Sequence, residues 1–259
     1  MRFLLGALAL LLLAYLGLCL LLYTRQRDLI YFPEFTWVDP AATDLALARG
    51  DITLRGWVVN PGKPDALLYF GGNAERIEAS REDLRRWFPG RTVYLLAYRG
   101  YGASEGEPSE AALVADALAL YDQVRARQPA ASIAVLGRSL GSGVAGHLAS
   151  RRDVPRLALI TPFDSLANVA QSHYPWMPVR WLMRDRYDTA DALAGYRGEL
   201  LIIRAGDDAV VPPAATDRLI TSLASGLPAA TQVVTIRRAG HNDIAMYPEY
   251  GQALSDFMR

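Results

Sequence analysis

From Phe3 to Tyr23 the chain reads FLLGALALLLLAYLGLCLLLY, with no charged residue. About 20 apolar residues suffice to cross the hydrocarbon core of a bilayer as a helix. A cleaved signal sequence has a shorter apolar region, about 7–15 residues, and a small-residue cleavage site. Here the run ends CLLLYTRQRD, with no Ala-x-Ala, and Leu18 before Cys19 departs from a lipoprotein signal. The pattern predicts an uncleaved, single-pass anchor with its flank over residues 1–26. Arg2 and the terminal amine on one side nearly balance Arg25 and Arg27 on the other, so charge leaves the orientation open.

Beyond the connector RQRDLIYFPEF the pattern shortens. LALAR (45–49) and ITLRGWVVN (52–60) read as two strands joined by a turn at Gly50-Asp51. ALLYF (66–70) and TVYLLAY (92–98) are continuous apolar runs, as in strands buried on both faces. SIAVLG (132–137), RLALITPF (156–163), ELLIIRAG (199–206) and TQVVTIRRAG (231–240) read as further strands. Helices are predicted over 73–88, stopped by Pro89-Gly90, over 108–127, over 140–152, over 213–224 and over 243–258. Strands alternating with helices predict a mostly parallel sheet of about eight strands, covered on both faces, with an antiparallel hairpin at its start. Residues 165–196 exceed an ordinary crossover and read as a small cap.

Composition narrows the picture. A chain of 259 residues, 51% hydrophobic, suits one sizeable α/β domain behind the anchor, over 27–259. Cys19 is the single cysteine, so no intrachain disulfide forms. A net charge of zero without a basic stripe argues against nucleic acid as a partner. Oligomeric state leaves no mark in the pattern.

The candidate chemistry centres on VLGRSLGSG (135–143), where Gly137, Gly141 and Gly143 surround Ser139. Between a strand and a helix, G-x-S-x-G makes a sharp, strained turn that lifts the serine hydroxyl above the sheet. The following helix then aims its N-terminal N–H groups at developing negative charge. The stretch lacks the Lys-Ser/Thr of a phosphate-binding loop and the G-x-G-x-x-G spacing of a dinucleotide site. A serine needs a base. His147 lies about two turns along the next helix and cannot reach back. His173 falls in the cap and reads as a packing or rim residue. His241, in RAGHND, follows the last strand, at the sheet edge where a base can meet Ser139. An imidazole base needs a carboxylate partner. Asp207 and Asp208 end one buried strand and Asp164 another. The backbone N–H groups of Asn73, in YFGGNAE, and of Leu140 are expected to hold an oxyanion.

Together these residues resemble the α/β-hydrolase superfamily, and its membrane-anchored branch of small serine hydrolases, which includes depalmitoylase-like and lysophospholipase-like members. RDLIYFP, YFGGNAE, AYRGYGASEGEPSE, GRSLGSG, TPFDSL, GDDAVVPP and AGHND match that branch in order, from Arg27 onward. The resemblance implies an eight-stranded α/β-hydrolase fold and selects Asp208, two places before a valine, over Asp207. It implies cleavage of esters or thioesters through an acyl-enzyme on Ser139, with no metal or organic cofactor. Gly71 departs from the pattern, where histidine is frequent. Tyr98, Arg99 and Ser104 are expected to shape their glycine-rich loop. Trp176 and Trp181, in the cap, are expected to roof the site for a lipid-like acyl chain, the alternative being that they pack the cap onto the body. The anchor suggests a membrane, with the bacterial inner membrane expected. Competing readings are a silent anchored binding domain and a peptidase or haloperoxidase-like activity.

Overall fold

A computed structural model describes residues 1–224 and 231–259. Eight strands form one sheet: β1 (Leu45–Arg49), β2 (Ile52–Val59), β3 (Asp65–Phe70), β4 (Arg91–Leu96), β5 (Ile133–Arg138), β6 (Arg156–Ile160), β7 (Glu199–Ala205) and β8 (Thr231–Ile236). Their order is β1-β2-β4-β3-β5-β6-β7-β8. The β1–β2 and β2–β4 pairs are antiparallel and all others parallel. Leu67, Leu68, Val93, Leu95, Ile133, Val135, Leu157, Leu159, Leu201 and Ile202 are fully enclosed. Helices cover both faces of these strands, which explains why their sequences are continuously apolar. The edge strands differ. β1 alternates buried and exposed positions, and β8 is mostly exposed, with Val233 46% accessible.

The chain reverses its winding between β4 and β5, which lie on opposite sides of β3. In open α/β sheets the crevice beyond the strand ends at such a reversal is where ligands bind. Phe70 is level with Gly137 across β3 and β5. The loop after β3 therefore runs beside Ser139.

The helices are α1 (Arg2–Ile30), α2 (Arg81–Trp87), α3 (Glu110–Arg127), α4 (Leu140–Ala149), α5 (Leu166–His173), α6 (Val179–Leu182), α7 (Thr189–Leu193), α8 (Pro213–Leu223) and α9 (Pro248–Phe257). Two predicted helices are broken. Over 73–88 a turn and a 3₁₀ segment, Ile77–Ser80, precede α2, because the Glu75 side chain is drawn back toward β3 and β5. Over 243–258 a short 3₁₀ turn, Ile244–Met246, precedes α9, which starts at Pro248. Proline lacks an N–H to continue a helix and suits the first helical position. The strand predicted to run through Phe163 ends at Ile160, since Thr161 takes a φ of 45°.

The predicted cap is α5, α6 and α7. A bridge between Ser165 and Asp188 closes its base, and α7 packs against α4. Helix α1 continues past residue 26, and its lower half docks on the cap. Tyr15, Cys19, Leu22 and Gln26 recur at the four-three-four spacing of one helical face and are the sheltered positions of that half. The Gln26 amide accepts from the Arg184 N–H (2.6 Å) and donates to the Leu182 carbonyl (3.2 Å). Arg27 pairs with Asp185 at 3.1 Å. The buried Tyr31 hydroxyl meets Asp185 at 3.1 Å and the Tyr187 hydroxyl at 2.9 Å. Burial, reinforced by the Asp185 carboxylate, holds the Tyr31 phenol above its ordinary range and therefore protonated.

Candidate active site

Ser139 sits between β5 and α4 with φ 51° and ψ −117°. A residue with a Cβ adopts such a backbone only when its surroundings enforce it. Here the Ser139 N–H donates to the Ile160 carbonyl at 2.9 Å, and the Ser139 carbonyl accepts from the N–H (2.8 Å) and hydroxyl (2.6 Å) of Ser142. The two nearest glycines make the turn possible by close approach. A Cβ at Gly137 would lie 2.3 Å from the Gly141 carbonyl oxygen, and one at Gly141 would lie 2.1 Å from that of Phe70.

The structure brings three of the predicted residues into line. His241 Nε2 stands 2.9 Å from Ser139 Oγ, and His241 Nδ1 stands 2.8 Å from Asp208 Oδ2. An ionised carboxylate only accepts, so Nδ1 carries the proton and Nε2 is left to accept from the serine hydroxyl. Asp208 lies in the loop just after β7 and is 7% exposed. Its other oxygen accepts from the N–H groups of Val210 (2.9 Å) and Val211 (2.7 Å), which fix the carboxylate plane.

The other candidate acids lie elsewhere. Asp164 is held bidentately by Arg218, both contacts at 3.0 Å, and by the Asn168 amide at 2.5 Å. The Asp207 side chain is exposed, and its N–H donates to Ala239. His147 faces Glu110 at 3.3 Å, and His173 contacts the Val210 carbonyl at 2.9 Å, linking the cap to the loop that carries Asp208.

The loop after β3 borders the serine: a Cβ on Gly72 would stand 3.5 Å from that of Ser139. Among the described residues, no protein acceptor takes the backbone N–H of Asn73 or of Leu140. The Asn73 side chain has a separate task. It donates to the Ile30 carbonyl (2.5 Å) and accepts from the Phe32 N–H (3.3 Å) and the Tyr101 hydroxyl (2.6 Å). It thus ties this loop to the end of α1. Tyr98 donates to the Gly71 carbonyl at 2.8 Å, Arg99 pairs with Asp116 at 2.6 Å, and Ser104 donates to the Ala97 carbonyl at 2.8 Å. Trp176 and Trp181 are 61% and 91% exposed, on the part of the cap that meets α1. So open a position does not pack the cap onto the body, nor does it enclose an acyl chain.

Sequence reasoning missed Glu75 and Arg138. Arg138 donates to Glu75 at 3.0 Å and to the His241 carbonyl at 3.1 Å. Glu75 also accepts from the Gly72 N–H at 2.6 Å and from the Tyr69 hydroxyl. One half-buried ion pair thereby joins the loop after β3, the serine turn and the histidine loop. Burial pulls the Arg138 guanidinium down, but the Glu75 carboxylate outweighs it and holds the group above its ordinary range. Arg138→Met leaves Glu75 its neutral donors but removes its counter-charge, and should cost up to about 3–5 kcal/mol of stability. Denaturant unfolding of the variant and the parent reads this directly; an unchanged midpoint would refute it. No cluster of three or more metal-ligating side chains occurs among the described residues.

Comparison with known proteins agrees with this architecture. A family model described as serine aminopeptidase, S33, matches residues 70–184. The uncharacterized protein Rv2307c of Mycobacterium tuberculosis is 35% identical over 240 residues, 88% of this chain and 84% of that protein. The lysophosphatidylserine lipase ABHD12 of Gallus gallus is 36% identical over 167 residues, 56% of this chain but 44% of that protein. Among solved structures, the Pyrococcus furiosus esterase Pf2001 superposes with a TM-score of 0.68 at 15% identity, covering 86% of this chain and 93% of that one. Est1E from Butyrivibrio proteoclasticus, solved with ferulic acid, gives 0.66 at 18% identity, covering 83% and 98%. With its sheet order and its serine turn, the chain has the α/β-hydrolase fold, and it belongs to one family with Rv2307c.

Proposed function

We propose that this protein is a membrane-anchored serine hydrolase that cleaves ester or thioester bonds of lipid-like acyl substrates. The observation that carries the reading is the continuous hydrogen-bonded line from Ser139 through His241 to Asp208. Ser139 Oγ attacks the acyl carbon while His241 Nε2 takes its proton. Asp208 holds the imidazole and stabilises its charged form. The backbone N–H groups of Asn73 and Leu140 receive the oxyanion, the second at the start of α4, where the helix dipole adds to the effect. The tetrahedral intermediate collapses as His241 returns the proton to the leaving alcohol or thiol. Water, deprotonated by His241, then attacks the acyl-serine; the second tetrahedral intermediate collapses as His241 gives that proton to Ser139 Oγ, and the carboxylic acid leaves.

Two considerations support the substrate class. One relative is named for lysophosphatidylserine. Helix α1 is long and apolar enough to cross a bilayer and presents that surface outward. An anchor concentrates the enzyme where acyl lipids are. The peptidase reading is favoured by one observation, the description of the matching family model.

A fluorophosphonate probe should label the wild-type chain at Ser139. A silent binding domain would stay unlabelled. Turnover on a panel of esters, thioesters, lysophospholipids and aminoacyl arylamides then separates the classes; faster cleavage of the arylamides would overturn the ester reading.

The contacts of α1 shape a further expectation. A chain beginning at Asp28 keeps Tyr31, and Ile30 and Phe32 remain to hold Asn73, so it should fold and turn over short soluble esters. A chain beginning at Pro33 loses all of these. Removing the buried Tyr31 hydroxyl alone should cost about 1–3 kcal/mol by leaving its partners unsatisfied. Thermal melts and p-nitrophenyl acetate turnover of the two chains test this. If the Asp28 chain fails to fold, α1 is part of the domain core and the anchor reading is wrong.

A further inference from the structure

We infer that the cap segment 174–183 lies within the lipid leaflet alongside α1, so that the bilayer itself is the partner of its exposed aromatic face. This rests on the reading of α1 as a bilayer-crossing anchor, and helix length supplies the main argument. Phe3 to Tyr23 spans about 30 Å at about 1.5 Å per residue, just the thickness of the hydrocarbon core, about 30 Å. None of the run is spare. Tyr15 lies about 12 Å along the helix from Tyr23, inside that run, yet its hydroxyl donates to the carbonyl of Trp176 at 3.1 Å. The part of the run that the cap does not touch, residues 3–14, measures about 18 Å and cannot cross alone. If α1 spans, it carries the Trp176 carbonyl down with it to about 12 Å below the hydrocarbon boundary, within a leaflet about 15 Å deep.

The carbonyls at 174–177 are prepared for such a place. Irregular chain in lipid must have its polar groups satisfied by protein. The carbonyl of Trp176 has the Tyr15 hydroxyl. Those of Tyr174, Pro175 and Met177 lie 3.1, 3.4 and 2.9 Å from the Gln171 amide nitrogen, whose two protons they share. Pro175 and Pro178 have no N–H to satisfy. The Leu182 carbonyl and the Arg184 N–H are taken by Gln26, as described above. A surface loop in water has no need of two side chains serving four consecutive carbonyls.

The side chains agree. Tyr174, Trp176 and Trp181 are exposed together, and Tyr and Trp are the residues that favour the boundary between headgroups and acyl chains. Arg180 and Arg184 beside them have stems long enough to keep their charges at the phosphate level. An acyl substrate would then reach the site from the leaflet rather than from water.

The test uses the full chain with Cys19→Ala, labelled with the environment-sensitive dye NBD at Trp176→Cys, Trp181→Cys or, as control, Ala130→Cys. Ala130 is exposed just before β5, at the edge of the sheet opposite Ser139. Each protein is reconstituted in phosphatidylcholine–phosphatidylglycerol vesicles and floated on a density gradient. Labels at 176 and 181 should emit to the blue of the label at 130. They should be quenched by lipid-borne nitroxide and shielded from aqueous iodide, with the pattern reversed at 130. Protein that floats while all three labels behave alike in water overturns the inference and leaves the anchor standing. Protein that does not float overturns both. Reaction of each labelled protein with the fluorophosphonate probe reports the hydrolase separately.

Discussion

Ser139→Ala is expected to lower turnover by about 10⁴-fold or more while leaving the melting temperature unchanged. The second half follows from the geometry. The strained backbone at position 139 is enforced by hydrogen bonds of its own N–H and carbonyl, not by its side chain. Alanine also carries a Cβ, so the strain is the same. The hydroxyl's described partner is His241 Nε2 at 2.9 Å, and a lone imidazole nitrogen at the site mouth can turn to water. The measurements are steady-state turnover on an ester and a thermal melt. A variant that melts normally and retains a tenth of wild-type turnover would remove Ser139 as the nucleophile.

Asp208→Asn should follow, with turnover down by about 10³–10⁴-fold. The structure says why the amide cannot adapt. One oxygen at this position must accept from the N–H groups of both Val210 and Val211. The amide oxygen is obliged to take that place, which points the NH₂ group at His241 Nδ1. The imidazole must then present a lone pair at Nδ1 and move its proton to Nε2. There it faces Ser139 and can no longer act as a base. Asp164→Asn should leave turnover nearly intact and lower stability, since it weakens the bidentate pair with Arg218. Asp207→Asn should do little, because that carboxylate faces solvent. Measuring turnover and unfolding for all three separates the roles; a series in which Asp164→Asn is the slowest enzyme would place the acid after β6 instead of after β7.

Much of this arrangement was legible because its signals are local. Strands covered on both sides must be continuously apolar, so β3 to β7 stand out. The serine turn needs small residues within a few positions of one another, and those are adjacent in the chain. The gross order of Ser139, Asp208 and His241 follows from strand ends. What escaped depends on distant partners. Glu75 and Arg138 pair across 63 positions, and nothing around either residue announces the other. The same pairing unmade the predicted helix at 73–76. A composition suited to helix yields when a side chain there gains a half-buried charge partner and a backbone N–H. The docking of α1 on the cap left a fainter trace. Tyr15, Cys19 and Gln26 are the odd residues out on an otherwise leucine-rich helix, at helical spacing. Uniform hydrophobicity over the rest masked that stripe.

The sheet order also bears on how the molecule behaves in a tube. β8 is the last strand, its sequence TQVVTI has neither a charge nor a proline, and Val233 stands well exposed. Such a strand is a ready template for a second copy. The chain follows it at once with Arg237 and Arg238. Two molecules approaching edge to edge in register bring these cations together, and the repulsion acts as a gatekeeper. That protection is electrostatic, so it reaches only about 10 Å at 0.1 M salt and about 3 Å at 1 M. Concentrating the protein from high salt therefore removes the guard from β8 just as encounters become frequent.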